Sequence, residues 1–110
     1  MNDSMRELQK VLAGRVQELS KRLDTVTSAA EAGVIVREMQ EFNHRVALAG
    51  QLLFKEESAG LAKSVRKVSA AKDRVDSAIR RVGGLSKALT VVGGFLALVD
   101  EAIDLAKELS

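Results

Sequence analysis

Glu41 and His44 stand three residues apart in a stretch of helical periodicity, the Glu-x-x-His pair that carboxylate-bridged dimetal bundles contribute to their metal site. Such a site takes two copies of the motif and two further carboxylates. His44 is the only histidine, so a second copy would have to come from a second subunit. On a wheel centred on Phe42, Glu41 falls about 100° and His44 about 160° away, while Ile35, Met39 and Val46 cluster around Phe42. The pair therefore points away from the apolar face, and a solvated outer surface is the expectation. A dimeric metal-carboxylate bundle is kept as a remote alternative.

Other reactive groups offer less. The absence of cysteine removes disulfides, thiolate zinc sites and a Cys nucleophile. No serine lies in a Gly-x-Ser-x-Gly elbow. Gly83 and Gly84 precede Leu85-Ser86-Lys87 without the Walker spacing, and Gly93 and Gly94 sit inside an apolar run with no polar partner. The first pair reads as a helix C-cap, the second as a close helix approach or a local bend. The expectation is a chain that is not an enzyme, with no catalytic residue, metal ligand or cofactor site.

Charge is unevenly spread. The net charge is +2, yet residues 58–82 carry a local +5 and residues 28–57 a local −2. Lys67, Arg74 and Arg81 lie within about 40° of Lys63 on a helical wheel, and Arg66 about 60° to the other side. This basic stripe opposes an apolar face and is a candidate anion or nucleic-acid surface. No aromatic residue is interleaved for base stacking, so phosphate contacts alone would give weak, salt-sensitive association without sequence choice.

The strongest pattern lies in residues 85–109, which carry two apolar seams at helical spacing. Leu85, Leu89, Val92, Leu96, Val99 and Ile103 form the first. Val91, Phe95, Leu98, Ala102, Leu105 and Leu109 form the second and are the candidate protein interface. Together the seams span roughly 200° of the circumference, about twice what one neighbouring helix covers. Either other helices of the chain cover the second seam, or a partner does. Asp100, Glu101, Asp104 and Glu108 on the polar side argue against insertion into a membrane surface.

These residues require helices to position them. Proline is absent, aromatics make up 3%, and Ala, Leu, Val, Glu, Lys and Arg dominate, which predicts helix nearly throughout a single domain. Capping boxes Ser4/Glu7 and Ser28/Glu31 open the first two helices. Leu8, Leu12, Val16, Leu19, Leu23 and Val26 then follow helical spacing, as do Ile35, Met39, Phe42, Val46, Ala49 and Leu53. The second register slips by one residue before Leu61, predicting a turn near residues 56–60. The third face is Leu61, Val65, Val68, Val75, Ile79 and Val82, with Lys72 expected to snorkel out of a seam position. Helices are predicted over 4–26, 29–55, 59–82 and 85–109. The fold expected is an all-α, antiparallel up-down four-helix bundle. Its competitor is a three-helix chain with one long central helix that closes its core by dimerising.

The functional expectation is a non-enzymatic helical protein–protein interaction module, of adaptor, chaperone-like or inhibitor-like kind, that presents an apolar helix face. Its expected partner is a second copy or another helical protein. The alternative is a weak, sequence-independent nucleic-acid-associated protein using Lys63, Arg66, Lys67, Arg74 and Arg81. Residues 1–7 have no signal-type apolar core, and the longest uncharged run, residues 88–99, is twelve residues, so a cytoplasmic protein without a transmembrane segment is expected.

Overall fold

The computed structural model of the chain describes the backbone of residues 2–80 and 85–109 and the side chains of 2–77 and 90–109. Four helices follow one another: α1 (Asp3–Leu23), α2 (Ala29–Gln51), α3 (Ala59–Arg80) and α4 (Leu85–Lys107), with no strand among the described residues. They form an all-α, antiparallel up-down four-helix bundle. The long central helix of the competing architecture is not formed, because residues 52–58 break the chain between α2 and α3. Gly83, Gly84 and Arg81 lie outside the described residues, as do the side chains of Leu85 and Leu89.

The break comes earlier than the register slip predicts, and the N-terminus supplies the reason. Asn2 donates its backbone N–H to the Leu53 carbonyl at 2.9 Å and its side-chain amide to the Glu56 carbonyl at 3.2 Å. Both partners lie in the connector that follows α2. Ser58 then opens α3, its hydroxyl accepting the Leu61 N–H at 3.0 Å.

The two expected capping boxes fare differently. Ser28 caps α2 by accepting the Glu31 N–H at 3.1 Å, but the Glu31 carboxylate turns to Arg22 at the end of α1. The Ser4/Glu7 box is corrected: Asn2 is the N-cap of α1, accepting the Met5 N–H at 3.0 Å. Ser4 sits inside the first turn, where both its N–H and its hydroxyl donate to Glu57 of the connector, at 3.0 and 2.7 Å.

Helix α1 packs on α2 and α3, α3 packs on α4, and the side between α2 and α4 is the thinnest. Sequential helices are antiparallel, whereas α1 and α3 run in the same direction, as do α2 and α4. Arg15 of α1 meets Asp76 of α3 at 2.8 Å, a buried charge contact lying off the N–H direction rather than a directed hydrogen bond. Phe42 of α2 and Phe95 of α4 meet as tilted rings 5.9 Å apart. Leu8, Leu12, Leu61, Val68, Val75, Val99 and Ile103 fill the core between them. Lys72, although near the Val68–Val75 seam, is exposed.

Candidate interaction face

Helix α4 distributes its two seams between two neighbours. Val92, Val99 and Ile103 of the first seam are buried and Leu96 is half-buried. Asp100, beside this seam, reaches Arg45 of α2 at 2.7 Å. In the second seam Phe95 meets Phe42 of α2, while Val91 and Leu98 border α3. Phe95 is 2% and Ala102 0% exposed, both in the chain's own core, while Val91, Leu98 and Leu109 are half-buried and Leu105 is 36% exposed. The second seam is therefore available to an outside helix only along the edge formed by Val91, Leu98, Leu105 and Leu109.

That edge borders a depression of about 280 Å³ between α3 and α4. Ala71, Arg74 and Val75 line one wall, Thr90, Val91, Gly94 and Leu98 the other, and Phe95 contributes to the lining. Gly93 and Gly94 are exposed, and a Cβ added to either would meet nothing within 4 Å. The close helix approach expected at this pair is thus not made within the chain. An interior helical glycine costs roughly 0.5–1 kcal/mol relative to alanine, a cost that no intrachain contact at these positions explains.

No protein-family model, curated protein or solved structure matches this chain.

Charge frames the same face. Lys63, Arg66, Lys67 and Arg74 are all exposed, and none forms an ion pair with a described residue. Arg81, the fifth candidate of the basic stripe, lies outside the described residues. Across the groove, Glu101, Asp104 and Glu108 of α4 are exposed beside Leu105. The antiparallel register that places Arg74 beside Gly94 puts Lys67, about 10 Å down α3, level with Glu101. Lys63 is likewise level with Leu105, and Glu108 stands about 4.5 Å further along the α4 axis. A basic edge and an acidic edge thus run side by side, with apolar side chains between them.

The adjacent, α2–α4 side carries two perturbed titrations, those of Arg45 and Glu38. Arg45 donates to Asp100 through Nε and Nη2, at 2.7 and 3.0 Å, and to the Glu41 carboxylate at 2.7 Å. Its pKa is raised, chiefly by the Asp100 hydrogen bond. Burial, reinforced by Glu41, raises the Glu38 carboxyl, and Arg45 and Arg37 offset this only in part. One Glu38 oxygen is buried without a hydrogen-bond partner. Glu41 and His44 are both exposed, Glu41 is engaged by Arg45, and no cluster of three His, Asp or Glu side chains suited to a metal occurs among the described residues.

Sequence periodicity does not identify the long-range polar contacts, among them Asn2 with the α2–α3 connector, Ser4 with Glu57, Arg15 with Asp76 and Arg45 with Asp100. The α4 spacing carried a partial signal for the last, since Asp100 ends the uncharged run beside the first seam. Among the described residues, no helix is long and apolar enough to cross a membrane.

Proposed function

We propose that this chain is a non-enzymatic helical interaction module whose docking face is the groove between α3 and α4. The observation that carries the proposal is the depression at Val75, Val91, Gly94 and Leu98, whose lining is mostly apolar and which leaves open space over Gly94. A helix laid along it would cover Val91, Leu98 and Leu105 and approach the α4 backbone at Gly94. The reading takes an adaptor-like or inhibitor-like role in the cytoplasm, with a helical protein as partner. Its test is a photo-crosslinking side chain at position 105 compared with the same group at position 44. An adduct with one identified helical protein from position 105 alone supports the module; equal labelling from both positions, or none from position 105, ends the reading.

Nucleic-acid association is the second reading, favoured by the exposure of Lys63, Arg66, Lys67 and Arg74 and by their lack of ion-pair partners among the described residues. It ranks second because Glu101, Asp104 and Glu108 flank the groove beside that stripe and would repel phosphates. Arg66→Glu with Arg74→Glu should weaken retention of duplex DNA or RNA, with a reduced salt slope. No retention of the native chain at low salt disposes of it.

A further inference from the structure

We infer that the occupant of the α3–α4 face is a second copy of this chain, related by a two-fold axis running along the bundle between α3 and α4. This rests on the α3–α4 groove being the docking face.

Charge complementarity selects both the partner and the axis. The face carries Lys63 and Lys67 on its α3 edge and Glu101 and Glu108 on its α4 edge, all exposed and none ion-paired with a described residue. A two-fold axis across the helices would stack α3 on α3 and α4 on α4, opposing like charges. An axis along the helices lays each α3 over the partner's α4 at the same level. Every basic edge then meets an acidic edge, and the contact occurs twice, as an isologous interface requires.

Apolar surface and helix direction agree with that arrangement. Val91, Leu98 and Leu105 fall near the axis, where the two copies bury one another's partly exposed seam. Gly94, with open space where a Cβ would stand, lets the facing helix approach closely. Because α3 and α4 are antiparallel within one chain, the interface becomes a four-helix layer in which neighbouring helices are antiparallel. With α4 at 23 residues, a face about 34 Å long and about 20 Å wide offers on the order of 700 Å² per copy. A standard protein interface uses about 800 Å² per partner.

The test uses the full chain and two charge-reversed variants, Lys63→Glu/Lys67→Glu and Glu101→Lys/Glu108→Lys, with sedimentation velocity as readout. All four positions are exposed, so both variants should keep the helical circular dichroism of the native chain. The native chain is expected to be a dimer, each variant alone to dimerise at least about tenfold more weakly, and their equimolar mixture to recover the dimer. In the mixture each reversed edge meets its complement on both sides of the axis. A native chain that stays monomeric at every concentration overturns the second-copy inference and leaves the docking face to another protein. A native dimer indifferent to both variants and to Leu105→Glu overturns the face itself. Variants that are monomeric alone and stay monomeric when mixed overturn the two-fold arrangement.

Discussion

Arg45 grips Asp100 through two parallel hydrogen bonds, Nε to Oδ1 at 2.7 Å and Nη2 to Oδ2 at 3.0 Å, across the thinnest side of the bundle. A planar guanidinium meeting a carboxylate in this way fixes both distance and orientation. Together with the Phe42–Phe95 contact, it aligns α2 with α4 in the same direction. Helix α4 is thereby held so that Val91, Gly94 and Leu98 lie beside α3 and line the groove.

The first prediction concerns this link. Arg45→Ala should destabilise the fold by about 1–2 kcal/mol, because it removes three charge-assisted bonds, two to Asp100 and one to the exposed Glu41, from a nearly buried side chain. Asp100→Ala should cost less, since the Asp100 carboxylate is half exposed. Urea denaturation of both single variants and the double variant gives the coupling, expected at about 1 kcal/mol. A coupling near zero would mean that Phe42 and Phe95 hold this side without the ion pair.

The second prediction separates two accounts of how α1 begins. Asn2 is fully buried, and its side chain both caps α1 and donates to the Glu56 carbonyl. Asn2→Ala should therefore cost about 1–2 kcal/mol, the upper part of the range for a lost cap. Glu7 is exposed, and Glu7→Ala should change stability by less than about 0.5 kcal/mol. Were Ser4 and Glu7 the operative capping box, the two variants would cost similar amounts, and thermal unfolding distinguishes these outcomes.

The contrast between these residues shows where sequence reading reaches its limit. Ser28 is legible as a cap because the contact it makes, to Glu31, is three residues away. Ser4 matches the same local pattern, yet its hydroxyl goes to Glu57, a residue no local pattern connects to it. The two seams of α4 are legible from spacing, because burial on two sides requires apolar residues on two sides. Which neighbour covers each seam is not legible, since that depends on Arg45 finding Asp100 and on α3 folding back beside α4. The basic stripe of α3 is exposed over Lys63, Arg66, Lys67 and Arg74, as its wheel position implies. The acidic edge alongside it emerges only once α3 and α4 are packed together.

The third prediction is a pair of opposite pH effects. For Glu57, burial raises the pKa, but the hydrogen bonds from the Ser4 hydroxyl, the Ser4 N–H and the Ser58 N–H outweigh it, so the folded-state value is lowered. Its stabilising contribution is present above the unfolded pKa of about 4.3 and is lost as pH falls through the lower folded value. Ser4→Ala should flatten that acid limb. For Glu38, burial, reinforced by Glu41, raises the value, so its favourable contribution is present below the unfolded pKa and is lost as pH rises through the folded pKa. Glu38→Gln should accordingly raise the melting temperature at pH 7 and leave it nearly unchanged at about pH 3.5. An equal rise at both pH values would show that Glu38 acts through packing rather than charge.

The last prediction separates what Gly94 does for folding from what it does for association. A Cβ at Gly94 meets nothing within 4 Å, so Gly94→Ala should stabilise the folded chain by about 0.5–1 kcal/mol through helix propensity alone. Gly33 is the control: it is exposed in the first half of α2, has equally open space, and should gain a similar amount on substitution by alanine. A larger side chain divides the two roles. Gly94→Leu starts from an exposed position with open space at the Cβ and should leave folding intact, while it fills the depression that a facing helix would approach. Chemical denaturation should therefore give Gly94→Leu a stability at least equal to the native chain, while association at the α3–α4 face weakens by about tenfold or more. If Gly94→Leu instead binds as well as the native chain, the glycine has no role in helix approach.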